Sequence, residues 1–153
     1  MSATQKLEEL GIRLPEPVPA MGSYVPAVRT GDLLFVAGHP PVENSKIKYR
    51  GKVGKDLTLE EGHDAARLCI INCLAAAHAA LGDLDQIKRV VKVTGYVNCL
   101  ADFEKQPDVI NGASDLLQKI WGEAGRHARA AVGAIALPAG IAVEVEVVFE
   151  VKP

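Results

Sequence analysis

Cysteine is scarce in this sequence: Cys69, Cys73 and Cys99 are the only three among 153 residues. So few, and an odd number, exclude a disulfide framework; with no extracellular signature beside them, a reducing, cytoplasmic location is expected. An excess of either charge is also lacking. Seventeen Lys and Arg against nineteen Asp and Glu leave a net charge of −2, which argues against a protein built around a polyphosphate backbone. Aromatic residues make up only 5% and do not interleave with basic ones as an RNA-binding surface would require. No apolar run approaches the ~20 residues of a membrane span, and Met1 to Leu10 lack the apolar core of a signal peptide. Ligand spacing for a metal is missing too. Cys69 and Cys73 stand at i, i+4, but no His or carboxylate joins them, so they read as small apolar residues packed on a sheet. His63 and His78 share one helical pattern but stand about 22 Å apart along it at 1.5 Å per residue. No metal and no cofactor are expected.

What is present is ordinary for a globular protein, with 48% apolar and 24% charged residues. The length fits one domain over 1–153. Residues 3 to 10 suit a short amphipathic turn with Leu7 and Leu10 on one side. Pro15, Pro17 and Pro19 exclude a helix or central strand there, so residues 1–21 are expected as an extended lead-in. Tyr24–Arg29 and Leu33–Ala37, separated by Thr30-Gly31-Asp32, read as a β-hairpin. The second run is apolar on both faces and needs cover on both. Helices supply one side, and a neighbouring copy is the economical cover for the other. Residues 43 to 56 read as an exposed loop, with a small strand at Ile47–Tyr49. Its Lys46, Lys48, Arg50, Lys52 and Lys55 need no explanation beyond solvation.

Thr58 to Leu81 is the clearest helix. Thr58 and Glu61 form a capping-box pattern, apolar residues recur at three- and four-residue steps, and Gly82 stops the run. Arg89 to Val97 follows as a strand, with Val91, Val93 and Val97 on one face and Lys92, Thr94 and Tyr96 on the other. A second helix is expected from about Asp108 to Trp121. The order β-β-α-β-α-β-β gives an α+β fold, with two hairpins and two helices segregated to one side of a mixed β-sheet.

The C-terminal stretch from His127 to Val151 carries the chemistry. Val143, Val145, Val147, Phe149 and Val151 share one strand face, and Glu144 and Glu146 lie on the other. Arg129 enters the preceding run alone among Ala and Val. Such an arginine needs an anionic partner, either a carboxylate of the protein (Glu144 or Glu146) or one on a ligand. The polar strand faces beside the doubly apolar strand suggest an intersubunit surface with wet pockets.

Gly22-Ser23-Tyr24-Val25, Ala37-Gly38-His39-Pro40-Pro41, Val91-Lys92-Val93, Ala128-Arg129-Ala130, and Leu137-Pro138 followed by Val143-Glu144-Val145-Glu146 stand in an order that resembles the RidA (YjgF/YER057c/UK114) family over residues 22 to 151. The resemblance implies a chorismate-mutase-like fold of the bacillus type and a homotrimer with a barrel core and intersubunit clefts. It also implies hydrolysis of reactive 2-imino acids and enamines to 2-keto acids and ammonia. Some members are described as endoribonucleases or translation inhibitors, which net charge disfavours here.

By the same resemblance Arg129 would bind a substrate carboxylate and Glu144 would position the attacking water. Tyr24, Asn111 and Gly38 would line the cleft. His39, where Gln is frequent, and His127, where Pro is usual, would stand in for missing side chains. Ala37 replaces a Ser or Thr, and Ala131 replaces a Cys found in many active members. These departures mark a divergent subgroup. The alternative function is therefore a non-catalytic trimer that binds a carboxylate metabolite. The expected partners are a small carboxylate-bearing ligand and further copies of the chain, with no membrane and no nucleic acid.

Overall fold

The computed structural model describes residues 1–153. Helix α1 spans Ala3–Glu9, so the lead-in is helical at its start rather than extended throughout. Its cap explains why: Ser2 Oγ accepts from the Gln5 N–H at 3.0 Å and Gln5 Oε1 accepts from the Ser2 N–H at 2.9 Å. Leu7 is buried beneath it. The proline-bearing stretch after it forms no regular element, as expected.

Strand β1 is Ala27–Thr30 and β2 is Leu33–His39. The hairpin therefore begins three residues later than the apolar pattern implied, with Tyr24 left outside it. Strands β3 (Val42–Glu43) and β4 (Lys46–Ile47) form a small separate hairpin. Its turn residues Asn44 and Ser45 both have positive φ, as a tight hairpin turn demands. Much of the basic cluster nearby is tied to the chain: Lys48 pairs with Glu43, Arg50 donates to Ala139 O, and Lys52 donates to Asn98 Oδ1.

Helix α2 runs Leu59–Leu81 from the Thr58–Glu61 capping box to Gly82, whose left-handed conformation suits a residue without Cβ. Helix α2 is long and apolar enough to cross a membrane by length and composition alone, but most of that apolar window is buried inside the protein. Cys69 and Cys73 pack from it onto the sheet, their thiols donating to Val143 O and Val145 O at 3.3 Å each. Burial pushes both thiols far above the ordinary range, as suits packing residues. Helix α3, Gln106–Trp121, lies against α2. The two backbones approach so closely that a Cβ on Gly112 would overlap the His63 carbonyl oxygen.

Strands β5 (Ile87–Asn98), β6 (Ala128–Ala134) and β7 (Val143–Val151) complete the main sheet, ordered β1-β2-β7-β5-β6. All neighbours are antiparallel except β5 and β6, which are parallel. Two expectations fail here. β6 and β7 do not form a hairpin, because β5 lies between them. Val91 does not share a face with Val93: a bulge between Val90 and Lys92 turns Val90 into the core and leaves Val91 exposed. The buried side of the sheet takes Leu34, Val36, Val93, Val145, Val147 and Phe149 beneath α2 and α3. The other side is uncovered. Phe35 is 45% and Val28 51% exposed, which leaves unsealed the face of β2 that the helices cannot reach.

Candidate functional site

Because β7 alternates, Glu144 and Glu146 leave the sheet on the uncovered side, level with Tyr96 and Thr94 of β5. The Tyr96 hydroxyl donates to Glu146 Oε1 at 3.1 Å. Neither glutamate forms an ion pair within the chain. Burial, and then the charge of Glu146, raises the Glu144 carboxyl above the ordinary carboxylate value. Gly38 lies against it: a Cβ there would sit 2.8 Å from Glu144 Cδ, so the carboxylate rests directly on the β2 backbone. Tyr24 closes the other wall, its hydroxyl accepting from the Met21 N–H at 3.1 Å. Tyr24, Gly38, Glu144, Tyr96 and Glu146 together line an open cleft of about 600 Å³, floored by Ile141.

The second group forms at the parallel edge. Arg129 stands level with Val93, a core-side residue, so its side chain leaves the sheet toward α3. Its Nη1 donates to Asn111 Oδ1 at 2.7 Å and to Ser114 Oγ at 3.1 Å, and Nη2 makes a long contact of 3.4 Å with Pro107 O. Every partner is neutral. No carboxylate of the chain pairs with this guanidinium, which excludes the intrachain salt bridge with Glu144 or Glu146. Three of its five donors reach protein acceptors, the third only at 3.4 Å, while Nε–H meets no protein acceptor. His127 joins the group through Ser114 Oγ, 2.9 Å from its Nε2.

The expected site residues thus fall into two assemblies. Tyr24, Gly38 and Glu144 meet in the cleft; Arg129 and Asn111 meet at the edge. Within one chain the two assemblies lie on opposite sides of the sheet, so Arg129 and Glu144 do not face one ligand across adjacent strands as their spacing suggested. His39 belongs to neither. The bulge between Val36 and His39 sets it opposite Val145 on the core side, only 3% exposed, with Nδ1 2.6 Å from Ala37 O. It does not line the cleft with Glu144. Ser114 was not anticipated, although its place three residues after Asn111 on an otherwise apolar helix face is a visible signal.

A mixed sheet with two helices on one face and the other face open, and with an unpaired arginine at its one parallel edge, defines an α+β domain of the chorismate-mutase-like kind. Residues 4–150 match the family model described as "YjgF/chorismate_mutase-like, putative endoribonuclease", and the chain belongs to that family, which includes the RidA proteins. Protein TCP17 of Trypanosoma cruzi is 44% identical over 147 residues, covering 95% of this chain and 92% of that protein. The crystal structure of Atu1372 from Agrobacterium tumefaciens, a protein described as of unknown function, superposes with a TM-score of 0.92 at 44% identity, covering 98% of this chain and 92% of the other. The crystal structure of a "putative endoribonuclease" from Shewanella oneidensis superposes with a TM-score of 0.96 at 34% identity, covering 99% and 100% of the two chains.

Proposed function

We propose that this protein hydrolyses reactive 2-imino acids and their enamine tautomers to 2-keto acids and ammonia, in clefts formed between copies of the chain. The observation that carries the reading is Arg129: a guanidinium fixed by neutral acceptors, with no acidic partner and with an Nε–H that meets no acceptor in the chain. A planar fork of that kind holds a carboxylate by two parallel hydrogen bonds and so orients the rest of the molecule. Since Glu144 faces the opposite side of its own sheet, a second copy must bring its Glu144 to this arginine. The exposed Phe35, Val28 and Val132 give such a copy an apolar surface to cover. A heterologous contact of this kind gives a ring when the rotation between copies closes, and a homotrimer is the ring that the family resemblance implies.

In this reading Arg129 clamps the substrate carboxylate and the partner's Glu144 holds a water against the imine carbon. Glu144 takes a proton from the water as its oxygen adds to the C=N carbon, and the nitrogen is protonated. The resulting carbinolamine expels ammonia as its hydroxyl becomes the keto oxygen, so water is the only co-reactant. An upward-shifted carboxyl suits a group that must accept and then return a proton near neutral pH. The three free cysteines support a cytoplasmic setting for this chemistry.

A second reading, a carboxylate-metabolite-binding protein without turnover, is favoured by Ala37 and Ala131, which offer no hydroxyl or thiol to the site. Ribonuclease action is disfavoured, because much of the basic 46–55 cluster is engaged within the chain. The test generates imino acids with an amino-acid oxidase and follows their decay. Wild type should accelerate it, and Arg129→Ala should lose most of that acceleration, with about 1.5–3 kcal/mol of carboxylate binding removed. Equal rates for the two would refute deamination; retained keto-acid binding in calorimetry would then favour the second reading.

A further inference from the structure

We propose that His127 is a positioning residue: it sets the direction of the Ser114 hydroxyl so that Ser114 Oγ, together with Asn111, fixes the plane of the Arg129 guanidinium. The inference rests on the reading of Arg129 as a carboxylate clamp and concerns a residue that touches no ligand itself.

The hydrogen-bond directions follow from which atoms can donate. His127 Nδ1 lies 2.7 Å from Gly125 O, and a carbonyl oxygen only accepts, so Nδ1 carries the proton. In the neutral ring Nε2 is then a bare acceptor. Ser114 Oγ, 2.9 Å away, must give its hydroxyl proton to Nε2, and its lone pairs are left to face Arg129. Arg129 Nη1 points one N–H at those lone pairs from 3.1 Å and the other at Asn111 Oδ1 from 2.7 Å. Both Nη1 protons are thereby used and the plane of the group is set. Nε–H and the Nη2 proton beside it form the remaining side-on edge, and the only protein acceptor near Nη2 is Pro107 O at 3.4 Å. That edge is the one a carboxylate would engage.

The surroundings favour the neutral ring that this relay requires. Burial, and then the Arg129 charge, hold His127 below the ordinary imidazole value against the opposing pull of the Gly125 carbonyl. Ser114 is itself buried, at 4% exposure, so no bulk water competes to redirect its hydroxyl. Without His127 the serine proton has no fixed acceptor. It then turns toward Arg129 in some fraction of molecules, opposing the guanidinium instead of accepting from it. The group keeps its charge but loses its fixed plane.

The test combines calorimetric titration of pyruvate and benzoate with imidazole and guanidinium ¹⁵N spectra of the intact oligomer. His127→Phe should weaken carboxylate binding about five- to tenfold, acting on KM more than on kcat. His127→Gln, which keeps an acceptor, should stay within about threefold of wild type. In a Ser114→Ala background, His127→Phe should add less than about twofold, because the two residues act as one unit. The ligand-free wild type should show the Nδ1–H tautomer of His127 and distinct Arg129 Nη1 signals, the latter collapsing in His127→Phe. Additive effects of the two substitutions, or Arg129 signals unchanged in His127→Phe, would overturn the relay. A wild type that binds neither acid while the spectra stand as expected would instead overturn the carboxylate reading of Arg129 and support the relay as an arrangement of the free protein.

Discussion

At the scale of single residues, burial shifts two ionisable groups in opposite directions and so sets two pH dependences. Glu144 is raised by burial and by the neighbouring charge of Glu146. In the proposed mechanism Glu144 works ionised, so the acid limb of the pH–rate profile should lie above the ordinary carboxylate value of 4.5. Replacing Glu146 with Gln removes a like charge and should move that limb to lower pH, measurable from kcat/KM for imine decay. His39 is lowered by burial, a shift only partly offset by its bond to the Ala37 carbonyl. Its proton is therefore bound more tightly by the unfolded chain. The stability it contributes is full above the unfolded value near 6.5 and is lost as pH falls from there toward the lower folded value. The unfolding free energy from denaturant titrations should decline over that window by up to about 1.4 kcal/mol per pH unit, and His39→Gln should flatten the decline. His39 also shows what residue identity leaves unstated. Its position after Gly38 suggests a cleft residue, but a bulge that no local pattern announces turns it inward.

At the scale of elements, legibility followed the strength of local chemistry. α2 was readable from Thr58 to Gly82 because both ends are written in cap residues and the interior keeps a helical period. β7 was readable because its alternation is strict. β6 was readable as a strand but not in its partner. The Pro138-Ala139-Gly140 turn suggests a hairpin, yet turn chemistry reverses a chain without choosing the neighbour, and the small residues of β6 declare no strong facial preference. The Val90–Lys92 bulge was invisible for a related reason, since Val90 and Val91 satisfy the same core position equally well until packing chooses. The α2–α3 crossing yields a sharp test. Gly112 has no room for a Cβ against the His63 carbonyl, and a backbone oxygen cannot swing aside as a flexible side chain can. Gly112→Ala should destabilise the fold by about 1–3 kcal/mol or more in urea unfolding; a change under about 1 kcal/mol would show that the helices can slide apart.

At the scale of the whole molecule, the sheet order and the uncovered face decide how far one chain can be self-sufficient. The α+β class, the two covering helices and the demand for cover on both sides of β2 were all legible, because they follow from which strand faces are apolar. The opposite placement of Arg129 and Glu144 was not, because it depends on β5 lying between β6 and β7, a long-range choice. That placement has a consequence in the language of inheritance. In the proposed ring each cleft takes its arginine from one chain and its glutamate from the next, so a defect in either is not confined to its own chain. Arg129→Ala and Glu144→Gln proteins, each inactive alone, should complement one another when dissociated and reassembled together. Random mixing would restore about a quarter of the clefts to a complete pair, and imine-hydrolysing activity would return to about that fraction of wild type. Two alleles damaged at these different positions would then rescue each other, whereas two copies of either would not.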